Sequence, residues 1–283
     1  MKLARARVGD AVIAASVEGD LLVELEVRGA EGCPEDPLMG WLRTGADLGA
    51  LVPARTGRSH QLADAQLLAP IQRPGKIIAV GLNYADHTLE AGLEAPAEPL
   101  TFAKYPSSIT GPDTEIIVPA AVTTEVDWEA ELAIVIGTVC GPQRRGTMAN
   151  VAAFTVANDV SARDLQFRDG QWTRAKSLDT FCPIGPVLVT PDDIPDPASL
   201  RIYATVNGQV MQDAKIGDMI FPISTLLDFI TATITLEPGD MILTGTPPGV
   251  GGFRNPPVFL ADGDVIEVGV DTVGVLRNTV RHI

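Results

Sequence analysis

Residues 127–136 have the sequence Asp-Trp-Glu-Ala-Glu-Leu-Ala-Ile-Val-Ile, and their pattern predicts a strand that is buried on both faces. Side chains alternate between the two faces of a strand, so Glu129 and Glu131 share a face that becomes apolar at Ala133 and Val135. Two adjacent carboxylates entering an interior repel each other and lose hydration, and a bound cation would resolve both problems. The alternative is an amphipathic strand with a solvated acidic edge.

A third carboxylate, Asp159, lies in the segment 158–166, Asn-Asp-Val-Ser-Ala-Arg-Asp-Leu-Gln. An acid before a short helical turn is often a helix N-cap, and this is the alternative to a role as metal ligand. If Asp159 joins Glu129 and Glu131, three carboxylates without an adjacent His or Cys favour a hard cation, Mg²⁺ or Mn²⁺, over zinc. Ca²⁺ shares this preference for oxygen ligands.

The segment 83–90, Asn-Tyr-Ala-Asp-His-Thr-Leu-Glu, contains the best candidate for a general base. If the segment is helical, His87 and Glu90 stand three residues apart on one face, and Glu90 would orient the imidazole and raise its basicity. An incidental pair on a surface helix is the alternative. His60, in a polar loop, and His282, beside the last residue, are predicted to lie at the surface.

Two further segments contain candidates for binding an anionic group. Lys176 stands among small and apolar residues and would pair with a substrate carboxylate, with a solvated loop lysine as the alternative. The glycine-rich stretch 243–252 lacks the Gly-Lys-Ser/Thr ending of a phosphate loop, so it gives only weak support for a nucleotide site. Its backbone N–H groups or the Thr246 hydroxyl would bind an anion, unless the stretch is only a turn.

The composition excludes several classes of partner. The 283 residues include 21 Lys and Arg against 36 Asp and Glu, a net charge of −15, without a basic run. Nucleic acids and anionic membrane surfaces both attract clustered Lys and Arg, so neither partner is predicted. Three distant cysteines form neither a disulfide framework nor a thiolate zinc site, which favours a cytoplasmic location. No segment approaches the roughly 18 apolar residues of a membrane span.

Strand and turn signals dominate the chain, and they predict a β-rich α+β fold in two domains. Residues 1–68 are predicted to form a small N-terminal β-rich domain and residues 69–283 the catalytic domain. Regular βαβ alternation is absent, so a Rossmann or barrel fold is not expected. The predicted elements are a hairpin of 11–17 with 21–27, a short helix in 38–51, strands at 76–80 and 131–139, a helix-to-strand region at 151–156, a hairpin strand at 200–206 before Asn207-Gly208, and a helix at 223–233.

Seven phrases together resemble the fumarylacetoacetate hydrolase family. In the family's order, over about residues 76–278, they are GLNYADHTLE, FAKYPSSITGP, VDWEAELAIVIG, ANDVSARDLQ, AKSLDTFCPIGP, LEPGDMILTGTPPGVG and LADGDVIEVGVDTVGVLRN. The resemblance implies a mixed β-sandwich roll, usually in a homodimer. Residues 1–68 resemble the variable small N-terminal domain of the family's bacterial branch.

The resemblance also implies a set of site residues. Metal ligation falls on Glu129, Glu131 and Asp159, and the catalytic residues are the family's active-site lysine and a His–Glu dyad on a short segment that orders over the substrate, here Lys176, His87 and Glu90. Substrate contacts in the family correspond to Arg163, Gln166, Thr246 and Lys104. Two departures, Tyr105 and an Asp113 in place of a glycine, leave the shape of the substrate-tail pocket open.

Together with these residues, the resemblance implies a Mg²⁺- or Mn²⁺-dependent hydrolase that cleaves a carbon–carbon bond in acylpyruvate-like or other 2,4-dioxo acids. Two alternatives use the same scaffold: an oxaloacetate decarboxylase or tautomerase, and a hydrolase or dehydratase of sugar-derived 3-deoxy-2-oxo acids. A non-catalytic binding protein that retains the ion site is an alternative of a different class. The complete set of base, lysine and ligands argues against it.

Overall fold

The computed structural model describes residues 1–27, 33–45, 48 and 55–283, and strands dominate it. The strands are β1 (Lys2–Val8), β2 (Ala11–Glu18), β3 (Leu21–Leu25), β4 (Arg55–Gln61), β5 (Gln66–Leu68), β6 (Ile77–Gly81), β7 (Leu100–Lys104), β8 (Ile109–Thr110), β9 (Glu115–Val118), β10 (Val126–Asp127), β11 (Ala130–Ile136), β12 (Val151–Asn158), β13 (Ser161–Ala162), β14 (Cys182–Val189), β15 (Arg201–Val206), β16 (Gln209–Lys215), β17 (Met241–Leu243), β18 (Val265–Val270) and β19 (Gly274–His282). The α-helices are α1 (Pro37–Arg43), α2 (Ala85–Glu90), α3 (Arg163–Asp169) and α4 (Ile223–Thr231). No helix within the described ranges is long and apolar enough to cross a membrane.

Strand β11 is buried on both faces, as its sequence predicts. It pairs antiparallel with β12 on one side and with β17 on the other. Leu132 and Ile134 pack into one apolar core, whereas Ala133 and Val135 pack into a second core. Since burial of one Leu or Ile side chain contributes roughly 1.5–3 kcal/mol, this strand is a major source of stability. It ends at Ile136, earlier than predicted, where its register with β12 shifts.

The N-terminal strands continue the sheet that contains β11. Over the described residues the larger sheet has twelve strands, in the order β4-β3-β2-β1-β14-β12-β11-β17-β6-β7, with β5 on β1 and β8 on β14. Leu3 of β1 faces Leu188 of β14, and the predicted first hairpin is confirmed as β2 and β3. The predicted short helix is confirmed as α1, although 46–47 and 49–51 lie outside the described residues. The domain boundary between 68 and 69 stays a prediction.

A second sheet packs against the larger one. Within the described chain it has five strands, in the order β16-β15-β18-β19-β9. Ala204 and Val268 from this sheet share an apolar core with Trp128 and Phe154, which confirms the predicted mixed β-sandwich roll. The predicted hairpin at Asn207-Gly208 is also confirmed. Both turn residues have positive φ, 51° and 79°, as the favoured two-residue hairpin turn requires.

Two local predictions are wrong. Residues 151–156, expected to pass from helix to strand, lie entirely in β12, and only a 3₁₀ turn at Met148–Asn150 precedes it. Pairing with β11 and β14 on both sides overrides the local helical signal. His60, expected in a polar loop, lies in β4 opposite Leu22. An exposed edge strand lacks the apolar alternation that identifies a strand in sequence.

Candidate metal and substrate site

Three carboxylates meet where β11 begins beside the end of β12. Ala130 pairs with Asn158 across these strands, and the Asp159 N–H donates to the Glu129 carbonyl at 2.9 Å. This register brings one oxygen each of Glu129, Glu131 and Asp159 within 4.8 Å of one another. All three side chains are buried, so the solvated acidic edge is wrong. The N-cap alternative is also wrong, because Asp159 does not cap α3.

Three buried cations, Lys104, Lys176 and Arg163, face these carboxylates. Each lies within hydrogen-bond distance of at least one of them. The contacts are Lys176 Nζ to Glu129 Oε2 at 2.6 Å and to Asp159 Oδ2 at 3.1 Å, Lys104 Nζ to Asp159 Oδ1 at 2.6 Å, and Arg163 to Glu129 Oε1 at 2.7 Å and to Asp127 Oδ1 at 2.8 Å. With Asp127 included, four buried carboxylates therefore face three cations.

Glu131 is the carboxylate that this arrangement leaves uncompensated. Its hydrogen bond comes from the Gly245 N–H at 2.7 Å, and no described cation forms an ion pair with it. Burial, and then the charges of Asp159 and Glu129, raise the pKa of Glu131 well above its ordinary value. Burial also opposes ionisation of Glu129, but the nearby cations outweigh it and hold the pKa of Glu129 at about 2.

The oxygens of Glu129, Glu131 and Asp159 fit a divalent cation. Carboxylate oxygens are the donors that hard divalent ions prefer, and this group contains only carboxylates. An added positive charge would offset the repulsion that raises the pKa of Glu131. The structure thus brings together the three residues named from the sequence.

Helix α2 places an imidazole beside this cluster. His87 is only 4% exposed, so the alternative of a surface pair is wrong. Its Nδ1 lies 3.4 Å from Glu90 Oε2, and that oxygen also accepts the Gly249 N–H at 2.9 Å. Burial opposes ionisation of Glu90, but the hydrogen bonds from His87 and Gly249 lower its pKa below the ordinary value. Glu90 is thus an anionic group that orients His87.

Lys176 is buried, which excludes a solvated loop lysine. Its backbone N–H donates to the Trp172 carbonyl at 3.0 Å, which fixes the turn that carries it. Burial favours loss of its proton, but the charges of Asp159 and Glu129 outweigh this and raise the pKa of Lys176. The ammonium therefore stays protonated between two carboxylates.

Arg163 and Gln166 occupy the first turn of α3. The Arg163 Nη1 donates to Gln166 Oε1 at 2.8 Å, and the guanidinium lies 5.2 Å from the centre of the Phe253 ring. The other Arg163 contacts, to Asp127 and Glu129, hold its guanidinium plane in place. The side chains of Arg163 and Gln166 also line a cavity of about 250 Å³.

Lys104 has a position that the family resemblance did not imply. Its Nζ donates to Asp159 Oδ1, to the Phe181 carbonyl at 3.1 Å and to the Lys176 carbonyl. These three acceptors match the three hydrogens of an ammonium group. Lys104 is not among the described residues that line the cavity. The structure therefore brings it to the site as a partner of Asp159.

A cavity of about 250 Å³ adjoins the cluster. The predicted residues on its wall are His87, Glu129, Lys176, Arg163, Gln166 and Thr246. Sequence reasoning missed the apolar part of the wall, formed by Leu93, Phe167, Trp172 and Phe253 among others. A larger hollow of about 360 Å³, beside Thr138 and Asp192, contains none of the predicted residues.

The missed residues differ in how far the sequence signals them. Asp127 stands two residues before Glu129 and four before Glu131. Because every second side chain of a strand lies on the same face, the sequence pattern could have predicted that Asp127 lies beside them. Trp172 packs on Gly81, where an added Cβ would lie 2.4 Å from the indole ring. Neither this contact nor the position of Gln212, which donates to Thr246, has a local sequence signal.

The fold and the site define the class of protein. It is a mixed β-sandwich roll in which buried carboxylates, an imidazole and a lysine lie beside a small cavity, where two paired strands meet. Residues 76–281 match the family described as fumarylacetoacetate (FAA) hydrolase, C-terminal. The chain belongs to this family, which confirms the resemblance found in the sequence.

The similar curated proteins include several oxaloacetate tautomerases. The chain is 48% identical to "Oxaloacetate tautomerase Fahd2a, mitochondrial" of Rattus norvegicus over 82% of this chain and 76% of the relative. It is 48% identical to "Oxaloacetate tautomerase FAHD2A, mitochondrial" of Homo sapiens over 77% of this chain and 70% of the relative. Protein Rv2993c of Mycobacterium tuberculosis is 43% identical over 99% of this chain and 98% of the relative.

Similar solved structures have other activities in their names. The 5-carboxymethyl-2-hydroxymuconate delta-isomerase of Mycobacterium smegmatis has a TM-score of 0.80 and 39% identity over the whole of both chains. The maleylpyruvate hydrolase of Sphingobium sp. SYK-6, in complex with manganese (II) ion and pyruvate, has a TM-score of 0.78 and 30% identity over 100% of this chain and 99% of that one. The relatives whose names state an activity are therefore enzymes: tautomerases, an isomerase and a hydrolase.

Proposed function

We propose that this protein is a Mg²⁺- or Mn²⁺-dependent enzyme that interconverts the keto and enol forms of oxaloacetate. The observation that carries the proposal is the sharing of one cavity by Glu129, His87 and Lys176, with one oxygen each of Glu131 and Asp159 within 4.8 Å of an oxygen of Glu129. The names of relatives that are 48% identical support the choice of oxaloacetate. Glu129, Glu131 and Asp159 are the proposed metal ligands.

In this proposal, His87 moves the proton. Tautomerisation removes a proton from carbon 3 of the keto acid and adds one to the 2-oxo oxygen, and the reverse reaction exchanges them back. Glu90 holds Nδ1 of His87, so Nε2 is the ring nitrogen available to take the carbon-bound proton and release it to oxygen. Glu90 also stabilises the imidazolium that exists between these two steps.

Lys176 and Arg163 provide the local positive charge that an anionic substrate needs in a chain of net charge −15. Both line the cavity, where the low dielectric strengthens their attraction for a carboxylate or an enolate oxygen. A divalent cation at the three carboxylates would supply Lewis-acid polarisation of the 2-oxo and carboxylate oxygens. Glu129 links the two parts, because it contacts both Lys176 and Arg163.

The test is the rate at which enol oxaloacetate equilibrates, followed by its ultraviolet absorbance. Metal-depleted protein should accelerate equilibration only after Mn²⁺ or Mg²⁺ is added. The His87→Asn variant should lose about 10²–10⁴-fold of this rate and keep the Mn²⁺ affinity of the parent, whereas the control His282→Asn should match the parent. An unchanged rate in His87→Asn rejects the proton-transfer role, and a reloaded parent without acceleration rejects the proposed function.

Hydrolysis of acylpyruvates is the second candidate, and the apolar wall of the cavity favours it. Leu93, Phe167 and Phe253 would accept a neutral acyl tail better than a second carboxylate. In this reaction His87 would take a proton from water, the hydroxide would attack the distal carbonyl, and the carbon–carbon bond would break to release a carboxylic acid and the enolate of pyruvate. Product analysis distinguishes the outcomes: pyruvate with an acid indicates hydrolysis, and CO₂ from oxaloacetate indicates decarboxylation.

We also propose that the protein is a cytoplasmic homodimer whose two domains meet between residues 68 and 69. A homodimer should have twice the 29.9 kDa mass of the chain in sedimentation equilibrium. A cytoplasmic location is tested by fractionation of the source cells. Activity of a 69–283 fragment would support the proposed domain boundary.

A further inference from the structure

Gln212 reaches the candidate site from the second sheet. It lies on β16, whose other side chains are mostly exposed, yet it is buried. Along the β15–β16 pair, Ala204 faces Gln212 but Thr205 faces Val210, so Met211 is the extra residue of a β-bulge. Bulges change the direction in which a strand's side chains point, and this one turns Gln212 toward β11.

The contacts of Gln212 fix the orientation of its amide. Its Oε1 accepts the Ala130 N–H at 2.9 Å. Its Nε2 donates to the Pro247 carbonyl at 2.7 Å and lies 2.8 Å from Thr246 Oγ1. A backbone N–H only donates and a carbonyl only accepts, so both ends of the amide are assigned independently. Thr246 Oγ1 must therefore be the acceptor from Gln212.

This assignment has a consequence for Thr246, which lines the cavity. Because its oxygen accepts from Gln212, its own hydroxyl hydrogen is left to donate elsewhere, and no acceptor for it occurs among the described hydrogen bonds. Ala130, the other anchor of Gln212, stands between Glu129 and Glu131. One amide thus joins the strand of the carboxylates to the loop of the hydroxyl.

We propose that Gln212 is a positioning residue that makes Thr246 a hydrogen-bond donor to a substrate oxygen and fixes the distance between Thr246 and the carboxylates. The proposal rests on the proposed function in one respect, that the ligand presents a carboxylate or 2-oxo oxygen in the cavity. A protonated ammonium group, which has no lone pair to accept a hydrogen bond, would gain nothing from this arrangement, so the arrangement favours ligands that present an acceptor oxygen.

Two substitutions separate the contact with Ala130 from the contact with Thr246. In Gln212→Glu the carboxylate still accepts the Ala130 N–H, but it loses the hydrogen bond to the Pro247 carbonyl and presents lone pairs to Thr246, whose hydroxyl must then turn from the cavity to donate to it. In Gln212→Met all three hydrogen bonds are lost without an added charge. Gln209→Glu introduces the same charge at an exposed position of the same strand and serves as the matched control.

Binding of pyruvate in the presence of saturating Mn²⁺, measured by calorimetry, tests the donor role. Loss of one hydrogen bond predicts about a five- to tenfold weaker pyruvate affinity in Gln212→Glu, a smaller loss in Gln212→Met, and none in Gln209→Glu. In a Thr246→Val background the Gln212 substitutions should cause no further loss. Hydrogen exchange tests the anchor: the Ala130 amide should exchange faster in Gln212→Met and stay protected in Gln212→Glu.

Each result that would overturn the proposal is distinct. Parent-like pyruvate affinity in Gln212→Glu, or an equal loss when Thr246 is Val, rejects the donor role. Unchanged exchange of Ala130 in Gln212→Met rejects the anchor. If the parent protein binds pyruvate but does not equilibrate oxaloacetate, the proposed function is rejected and the role of Gln212 still holds. If the parent protein binds no pyruvate, the donor role of Thr246 is rejected, and hydrogen exchange alone decides whether Gln212 anchors Ala130.

Discussion

Replacing Glu131 by Gln should stabilise the metal-free protein and weaken its binding of a divalent cation. Glutamine has nearly the same shape and keeps an oxygen to accept the Gly245 N–H, which lies 2.7 Å from Glu131. It removes a charge that Glu129 and Asp159 repel and that burial disfavours. The gain in stability and the loss of cation affinity have the same cause, the negative charge of Glu131. Without a cation this charge destabilises the folded protein, and with a cation it contributes to binding.

The expected sizes follow from the burial and contacts of Glu131. Replacing buried charge by neutral groups of similar volume often stabilises a protein, and about 1–2 kcal/mol lies at the low end of that range. For a chain of this size, 1 kcal/mol corresponds to roughly 2–4 °C in Tm, so the metal-free variant should melt about 2–8 °C above the parent. Its Mn²⁺ affinity should fall by more than the roughly 10–100-fold that loss of an outer-shell contact causes.

Asp127→Asn is the matched control. Asp127 is also buried, and burial raises its pKa, but unlike Glu131 it forms an ion pair: it accepts from Arg163 Nε at 2.8 Å and from the Gly252 N–H at 2.6 Å. Breaking a buried pair costs about 3–5 kcal/mol, and this variant should melt well below the parent. Circular dichroism melts of metal-depleted protein and Mn²⁺ titrations measure both effects. A metal-free Glu131→Gln that melts below the parent refutes the charge argument, and parent-like Mn²⁺ affinity refutes the ligand assignment.

Three further predictions concern the cavity wall and the N-terminal strands. Gly81→Ala should displace the Trp172 ring, because the new Cβ would lie 2.4 Å from it; a shifted tryptophan fluorescence maximum and a raised KM would show this. Arg5→Met should lower the free energy of unfolding by roughly 3 kcal/mol, since the buried guanidinium donates to three acceptors; urea unfolding measures it against the same change at an exposed arginine. The hydrogen bond from Arg58 lowers the pKa of Glu24, so this pair stabilises the folded state above the ordinary glutamate pKa, and the stabilisation is lost as the pH falls through the lowered pKa. Arg58→Met should therefore reduce the decrease in Tm that the protein shows below about pH 4.5. An unchanged dependence of Tm on pH in Arg58→Met would refute this.

The parts of the fold that the sequence predicts depend on neighbours in the chain. The alternation in β11, the Asn207-Gly208 turn and the i, i+3 pair of His87 and Glu90 are local patterns, and the structure contains each of them. The grouping of Glu129 with Glu131 is local in the same sense. Asp159 was named from its own segment and from the family resemblance, and the pairing of β11 with β12 then brings it beside them.

The parts that the sequence does not predict depend on long-range register. Gln212 contacts Ala130 across 82 positions of the chain, and it points inward only because Met211 forms a bulge. Lys104 reaches Asp159 across 55 positions, so its position as a partner of that carboxylate follows from the assembled sheet. A local sequence pattern does not show which distant strand will supply a side chain to the site. A family resemblance implies the role of a residue, but it does not show which atoms that residue contacts.

The cavity has a charged floor, formed by Glu129, Lys176 and Arg163, and an apolar mouth that includes Leu93 and Phe167. The two parts differ in how well they tolerate amino-acid substitution. On the floor, Lys176 and Arg163 both form ion pairs with Glu129, and loss of one partner of such a pair leaves a buried charge at a cost of several kcal/mol. At the mouth, Leu93 and Phe167 are exposed, and substitutions at exposed positions usually change stability little. In the proposed reaction, enolisation of a 2-oxo acid would use the floor together with His87, whereas the mouth would contact whatever is attached beyond carbon 3. A tautomerase, an isomerase and a hydrolase can therefore share one floor, and the residues that select the substrate of this chain should be sought at the mouth.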